Sequence, residues 1–434
     1  MELMAPQQES VPAGYKRTEI GVIPEDWEVM KAGDLGTFRG GSGFPLSFQG
    51  SPEGEFPFFK VSDMNLIGNE IRMDVANNYV SDGVRKRLQA TVFPPNTIVF
   101  AKVGAAVFLE RKKLLSRSSC LDNNMAGFIP DCTSVDIRFL HYSFLSLSFG
   151  SLVSTTALPS LGNGVLRDIK VSLPPTKAEQ EAIAKALSDA DAWIASLEQL
   201  IQKKRQIKQG AMQSLLTGKR RLPGFSGKWE ERRLGDQVRF LRTGAFSRSQ
   251  LNEEGAIRYL HYGDIHTAQN CFLKPGHTPM PYLPEALAKP LDRLSDGDLI
   301  FADASEDIEG VGKSVEISGV AGKEVVSGLH TIAARFDKTV LTDGFKAYLQ
   351  FLPSFTDQLR RLAAGTKVYA TTRTHIGSIE LTLPSAPEQT AIATVLSDMD
   401  AEIEALETKL SKARKIKQGM MQELLTGRRR LEWD

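Results

Sequence analysis

The chain has 434 residues, 41% of them hydrophobic and 24% charged, with a formal net charge of +1 at pH 7. That length accommodates two to four domains, each able to bury its own core. No run approaches 18 apolar residues, which argues against a membrane-spanning helix, and the near-neutral balance excludes a uniformly basic chain while leaving room for a local basic face.

The N-terminal segment to Pro12 is polar and lacks the apolar stretch of a secretion signal. Residues 13–172 read as irregular α/β, with β-like runs at 97–101 and 127–130, a glycine-rich turn at Gly40-Gly41-Ser42-Gly43 and a helix near 137–147. Leu173-Pro174-Pro175 is extended punctuation. A long helix is predicted from 177 to 216, stopping at Thr217-Gly218, where glycine supplies the cap. Residues 223–382 then read like the first domain, Leu383-Pro384 repeats the punctuation, and a second helix is predicted from 387 to 425, stopping at Thr426-Gly427. The chain divides accordingly into a domain at 1–172, helix and linker at 173–222, a domain at 223–382, and helix and tail at 383–434.

The likeness of the halves is a duplication. Residues 178–222 recur as 387–431, sharing Glu179/Glu388, Leu187/Leu396, Asp191/Asp400, Gly210/Gly419 and Leu222/Leu431. Trp27-Glu28, Gly33-Asp34, Phe38 and Phe44 recur as Trp229-Glu230, Gly235-Asp236, Phe240 and Phe246. Inside the domains the match thins to anchors, such as Ile98-Val99-Phe100-Ala101 with Leu299-Ile300-Phe301-Ala302. Two copies of so long a unit are a domain duplication and not a solenoid. A common framework with divergent loops fits two modules of one architecture and two different ligands.

Each helix carries a heptad seam: Ile183, Leu187, Ala190, Ile194, Leu197 and Ile201 in the first, Ile392, Leu396, Met399, Ile403, Leu406 and Leu410 in the second. An amphipathic helix lying on its own domain would use the same stripe. Both helices are acidic early (Glu179, Asp191; Glu388, Asp400) and basic late (Lys204, Arg205, Lys208; Lys412, Arg414, Lys417), which favours an antiparallel pair, although complementing each helix's own dipole would give the same bias. Gly210 and Gly419, poor helix formers, leave space for a close backbone neighbour such as a partner subunit. The expected fold class is α/β (α+β): two globular domains related by a pseudo-twofold axis, each followed by one long helix, the helices forming an antiparallel coiled coil. About 38 helical residues span about 55 Å at 1.5 Å per residue, which suits a ruler between two DNA-reading modules.

Enzymatic chemistry is poorly represented. Gly312-Lys313-Ser314 ends like a phosphate-binding loop, but Asp307 stands where its first glycine belongs. Phe38-Arg39-Gly40-Gly41-Ser42-Gly43 has the wrong spacing for a methyl-donor loop, and Phe93-Pro94-Pro95-Asn96 is not a methyltransferase Asn-Pro-Pro-Tyr segment. The acidic stretch Asp303, Glu306, Asp307, Glu309 lacks a nuclease Glu-x-Lys triplet and reads as a solvated or base-contacting loop. Cys120, Cys132 and Cys271 are odd in number and too far apart for a zinc pattern, which fits buried or inert thiols in a reducing cytoplasm. No catalytic or metal-binding residues are assigned.

Residue types suited to DNA do recur. Arg39, Arg85, Lys86, Arg87, Lys102, Arg111, Lys112, Lys113, Asn163 and Arg167 are the candidates in the first half. Arg242, Arg248, Lys313, Lys367, Tyr369, Arg373 and His375 are those of the second. Arg and Lys serve phosphates, and Arg and Asn also read base edges. Any one of them could equally be a solvated surface charge; their placement in loops that differ between halves favours readout.

The helix-leading segments Leu173-Pro174-Pro175…Glu179-Gln180-x-x-Ile183-Ala184 and Leu383-Pro384…Glu388-Gln389-x-x-Ile392-Ala393 resemble those of type I restriction–modification specificity subunits. So do the trailing segments Lys208-Gln209-Gly210…Leu215-Leu216-Thr217-Gly218 and Lys417-Gln418-Gly419…Leu424-Leu425-Thr426-Gly427. The resemblance covers nearly the whole chain. It implies a non-catalytic subunit with two target-recognition domains that read the halves of a split, asymmetric double-stranded DNA sequence. It also implies two modification (adenine methyltransferase) subunits and two restriction (motor–nuclease) subunits as partners, with S-adenosylmethionine, ATP and Mg on those partners and no cofactor on this chain. A coiled-coil scaffold for protein partners is the rival reading, and it predicts similar loops in the two halves.

Overall fold

The computed structural model describes residues 11–153, 159–268, 270–363 and 369–431, which form two compact units. One comprises the described residues up to Ser196 and from Leu410 onward; the other is Leu197–Lys409. The boundaries of these units fall inside the two long helices, Lys177–Leu215 and Ala386–Leu424. Each unit holds one globular domain, the first half of that domain's own helix and the second half of the other domain's helix.

The first unit is organised on a five-stranded sheet in the order Gly36–Gly40, Met125–Pro130, Ile98–Ala101, Lys112–Leu115, Arg72–Met73, antiparallel except for the last pair. Ile98–Ala101 is buried along its whole length because both faces are covered. Side chains alternate across a strand. Ile98 and Phe100 accordingly pack with Phe38, Phe128, Phe144 and Phe149, and Val99 packs with Phe59, Phe93 and Leu115 on the opposite face. The helix expected near 137–147 is Ile137–Ser146, and its N-cap Asp136 accepts the Phe139 N–H.

The second unit repeats the arrangement: Val238–Phe240, Thr331–Phe336, Leu299–Ala302, Ser314–Ile317, Phe272–Leu273, again with a parallel last pair. Leu299 and Phe301 join the core with Phe336, Tyr348 and Phe355, while Ile300 and Ala302 face Leu260, Val315 and Ala333. Ser314–Ile317 is a strand, so the segment after Gly312-Lys313 does not open the helix that a phosphate-binding loop requires.

The two helices pack together antiparallel. In the first unit Lys417 Nζ is 2.5 Å from Asp191 Oδ1; in the second, Lys208 pairs with Asp400, Lys204 with Glu402 at 2.6 Å and Arg205 with Glu407 at 2.5 Å. As the residue on the first helix advances from 191 to 208, its partner on the second falls from 417 to 400. Of the expected seam, Ile183, Leu187, Leu197, Ile201, Ile392, Leu396, Ile403 and Leu406 are buried. Ile194 and Leu410 are half-buried, where each helix crosses from one unit's packing to the other's. The early seam is only partly a coiled coil. Ile183 and Leu187 pack on Ile23, Trp27, Phe139 and Tyr142 of their own domain as well as on Leu424 and Leu425. Ile392 and Leu396 pack likewise on Phe345, Tyr348 and Leu381 with Leu215 and Leu216.

The repeated motifs close each unit. Arg430 binds the buried Glu179 through two 2.8 Å hydrogen bonds, and Arg221 grips the equally buried Glu388, whose Oε2 also accepts Trp229 Nε1 at 3.2 Å. Gln180 and Gln389, both buried, accept the Asp136 and Thr342 N–H groups and donate to Pro174 and Pro384 carbonyls. The Glu-Gln that leads one helix is thus completed by the Arg-rich tail that follows the other. Gly427 and Gly218, at φ of 68° and 69°, end the helices against Trp27 and Trp229. A Cβ at Gly210 or Gly419 would meet no other atom of the described chain within 4 Å, so no close neighbour within the chain explains those glycines.

Candidate nucleic-acid interface

In the first unit candidates gather around the end of Ile98–Ala101. Lys102 follows the strand; its Nζ lies over Gly40, where an added Cβ would come within 2.7 Å, and exposed Arg39 precedes that glycine. The Lys102 carbonyl accepts from Leu161 N–H at 2.9 Å, two residues before Asn163, which opens the short helix Asn163–Arg167. Asn163 and Arg167 are exposed. Arg85, Lys86 and Arg87 sit apart on the helix Asp82–Arg87; Arg85 and Lys86 both pair with Asp82 at 2.6 and 2.7 Å, and Arg87 is exposed. Hydrogen bonds from Lys86 and Arg85 hold the Asp82 carboxyl below its usual range.

Lys112 and Lys113 are corrections. Both lie on the strand Lys112–Leu115 and are buried. Lys112 Nζ donates to Glu110 at 2.6 Å and to the Leu147 carbonyl at 2.8 Å, and Lys113 Nζ to the carbonyls of Met64 (2.7 Å) and Asn69. Burial lowers the pKa of both ammonium groups. Burial also pushes Glu110 upward, but donors from Lys112, Gly150, Phe149 and Ser148 outweigh it and hold the carboxyl at about 2. These lysines fasten the framework and are not available to a ligand; two adjacent strand residues with opposite side-chain directions are each caught by a different loop. Arg111, next to them, is half-buried.

In the second unit, Arg242 is exposed, and Arg373, first in the helix Arg373–Ser378, donates to the Leu241 carbonyl at 2.9 Å. Tyr369 pairs in a short ladder with Ser305, and Arg248 is bound to Asp264 at 3.0 Å. Lys313 Nζ is committed to the His266 carbonyl at 2.6 Å, which ties it to the framework. His375 is half-buried, its Nδ1 without a partner among the described residues. Lys367 lies outside the described residues.

The structure adds residues that sequence reasoning missed. Tyr262, His266, Ser305, Glu306, Asp307 and His330 line a concavity of about 490 Å³, with Tyr262 edge-on to both histidines. The acidic loop was visible in sequence, but His266 and His330 are too far apart along the chain to suggest a shared wall. Of the cysteines, Cys120 and Cys271 are buried, their thiols raised by burial to about 11 and about 12, whereas Cys132 is exposed. No helix among the described residues is long and apolar enough to cross a membrane.

The family model of the type I restriction modification DNA specificity domain matches residues 24–209. The type I restriction enzyme MjaVIII specificity subunit of Methanocaldococcus jannaschii is 25% identical over 435 residues, covering 94% of each chain. The type I restriction–modification S subunit from M. genitalium shares the fold with a TM-score of 0.55 at 15% identity, over 94% of this chain and 97% of that one. A chain from a structure of a type I restriction–modification system aligns with a TM-score of 0.52 at 14% identity, over 93% and 99%. Residues 24–209 thus match the type I restriction modification DNA specificity domain, and over nearly its whole length the chain is similar to type I restriction enzyme specificity subunits.

Proposed function

We propose that this chain is the non-catalytic reader of its complex, each domain reading one half of a bipartite, asymmetric double-stranded DNA target. The two helices set the spacing between half-sites and dock two modification subunits, and two restriction (motor–nuclease) subunits join the assembly. Methyl donor, ATP and Mg are used on those partners. The observation that carries this reading is the contrast between framework and ligand-facing residues. The five-stranded sheets have the same order and register, and the closing Arg–Glu pairs match, yet the side chains at equivalent strand ends differ in charge. Two readers of different sequences require that contrast; a scaffold for identical partners does not.

The test is to footprint the chain together with its modification partner and sequence the adenine methylation it directs. Two short protected elements separated by an unread spacer are expected, with no methylation by the chain alone. One contiguous or sequence-independent footprint overturns the reading.

A further inference from the structure

The two domains hold residues 102 and 303 in one backbone frame. Ala101 pairs across the sheet with Met125, and Ala302 with Thr331. The Lys102 N–H donates to the Asn124 carbonyl at 2.8 Å and its carbonyl accepts from Leu161 N–H at 2.9 Å. The Asp303 N–H donates to the His330 carbonyl at 3.1 Å and its carbonyl accepts from Thr371 N–H at 2.7 Å. The main chain does the same work in both domains; the side chain changes from an ammonium to a carboxylate.

The surroundings change with it. In the first domain Lys102 Nζ has no hydrogen-bond or ion-pair partner among the described residues, and Asn124 beside it is exposed. In the second, Asp303 Oδ1 is 3.2 Å from Nδ1 of the half-exposed His330. His330 holds φ at 56°, a left-handed conformation uncommon outside glycine. Its ring forms one wall of the concavity that also contains Tyr262, His266, Glu306 and Asp307. Carboxylates beside DNA are repelled by phosphates, so a ligand-facing carboxylate needs a donor to face. On the major-groove edges of base pairs the hydrogen-bond donors are the exocyclic amines, whereas guanine offers two acceptors side by side.

We propose that this strand-end position sets the polarity of the base edge each domain reads: Lys102 is matched to the acceptor edge of guanine, O6 and N7, and the Asp303–His330 pair to an exocyclic amine, cytosine N4 or adenine N6. The assignment rests on the DNA-reading function proposed above and names the chemistry at that site.

The experiment uses the complex of the full chain with its modification partner and duplexes carrying the target found by methylation sequencing. Guanines are replaced singly by 7-deazaguanine, cytosines by 2-pyrimidinone and adenines by purine, which delete N7, the N4 amine and the N6 amine respectively. One 7-deazaguanine in one half-site should weaken binding by about 10-fold, and one amine deletion in the other half-site should do the same; which analogue acts identifies cytosine or adenine. Lys102→Met should abolish the first sensitivity and Asp303→Ala the second, each leaving the other intact. The wild-type arms need no variant, so a poorly folding substitution does not remove the test. A sequence-specific complex indifferent to every such analogue, or sensitivities that persist in the variants, overturns the assignment alone. A complex without sequence preference overturns the DNA-reading function and the assignment with it.

Discussion

Lys208→Met probes the antiparallel helix pairing at its most informative point. Lys208 and Asp400 keep only 17% and 22% of their side-chain surface exposed, and Tyr348 Oη donates to the same carboxylate at 3.0 Å. Exposed ion pairs contribute about 0–1 kcal/mol, whereas removing one partner of a buried pair costs about 3–5 kcal/mol. This pair lies between those limits, and the remaining Tyr348 bond leaves Asp400 partly satisfied, so a loss of about 2 kcal/mol is expected. Lys417→Met should cost a similar amount, because Asp191 is held by Lys417 and by Tyr142 Oη at 2.8 Å in the equivalent arrangement. Asp191 and Lys208 stand about 25 Å apart along one helix at 1.5 Å per residue, so the two losses should add. Hydrogen exchange on the intact chain separates them. Lys208→Met should release protection in 197–215 and 386–409, and Lys417→Met in 177–196 and 410–424. The charge-exchanged variant, Lys208→Asp with Asp400→Lys, should recover part of the loss. Unchanged protection in Lys208→Met, or release confined to the other unit's segments, would refute the pairing and the antiparallel arrangement built on it.

Further outcomes follow from the same structure. Four residues inserted after Ser196 together with four after Lys409 lengthen each helix by about 6 Å, equivalent to one or two base pairs; methylation sequencing should find both half-sites retained with a longer spacer, and an active variant with the original spacer would show that the helices do not measure the DNA. Replacing 223–382 with the corresponding domain of another specificity subunit should change one half-site, checked by the same sequencing; loss of both half-sites together would count against independent readers. His141 is buried, its Nε2–H donating to the Lys112 carbonyl at 2.8 Å, and burial holds its pKa down at about 4 against 6.5 when unfolded. Its contribution is therefore present above pH 6.5 and lost as the pH falls through 4, up to about 3 kcal/mol. Urea midpoints of wild type and His141→Gln between pH 7 and 4 should converge toward acid, and parallel pH profiles would refute that role.

The sequence by itself determined the duplication, the two long helices and their ends, because heptad spacing, glycine caps and repeated motifs are local signals. It also favoured the antiparallel sense, through charge, and Asp191 and Asp400 early, Lys208 and Lys417 late, do pair across the helices. Only the tertiary structure decided what the repeated Glu-Gln and Arg-rich segments are for, since Glu179 meets Arg430 and Glu388 meets Arg221 from opposite ends of the chain's repeats. It decided too that each compact unit borrows half a helix from the other copy, which no boundary drawn along the chain expresses. Basic residues were the least legible. Lys102 and Lys113 are alike in sequence, but one is half-buried with its ammonium over Gly40 and the other points into a loop that supplies carbonyls for its ammonium. Whether a charge faces a ligand or the protein depends on which loop covers it, and that is set by contacts between residues distant in the chain.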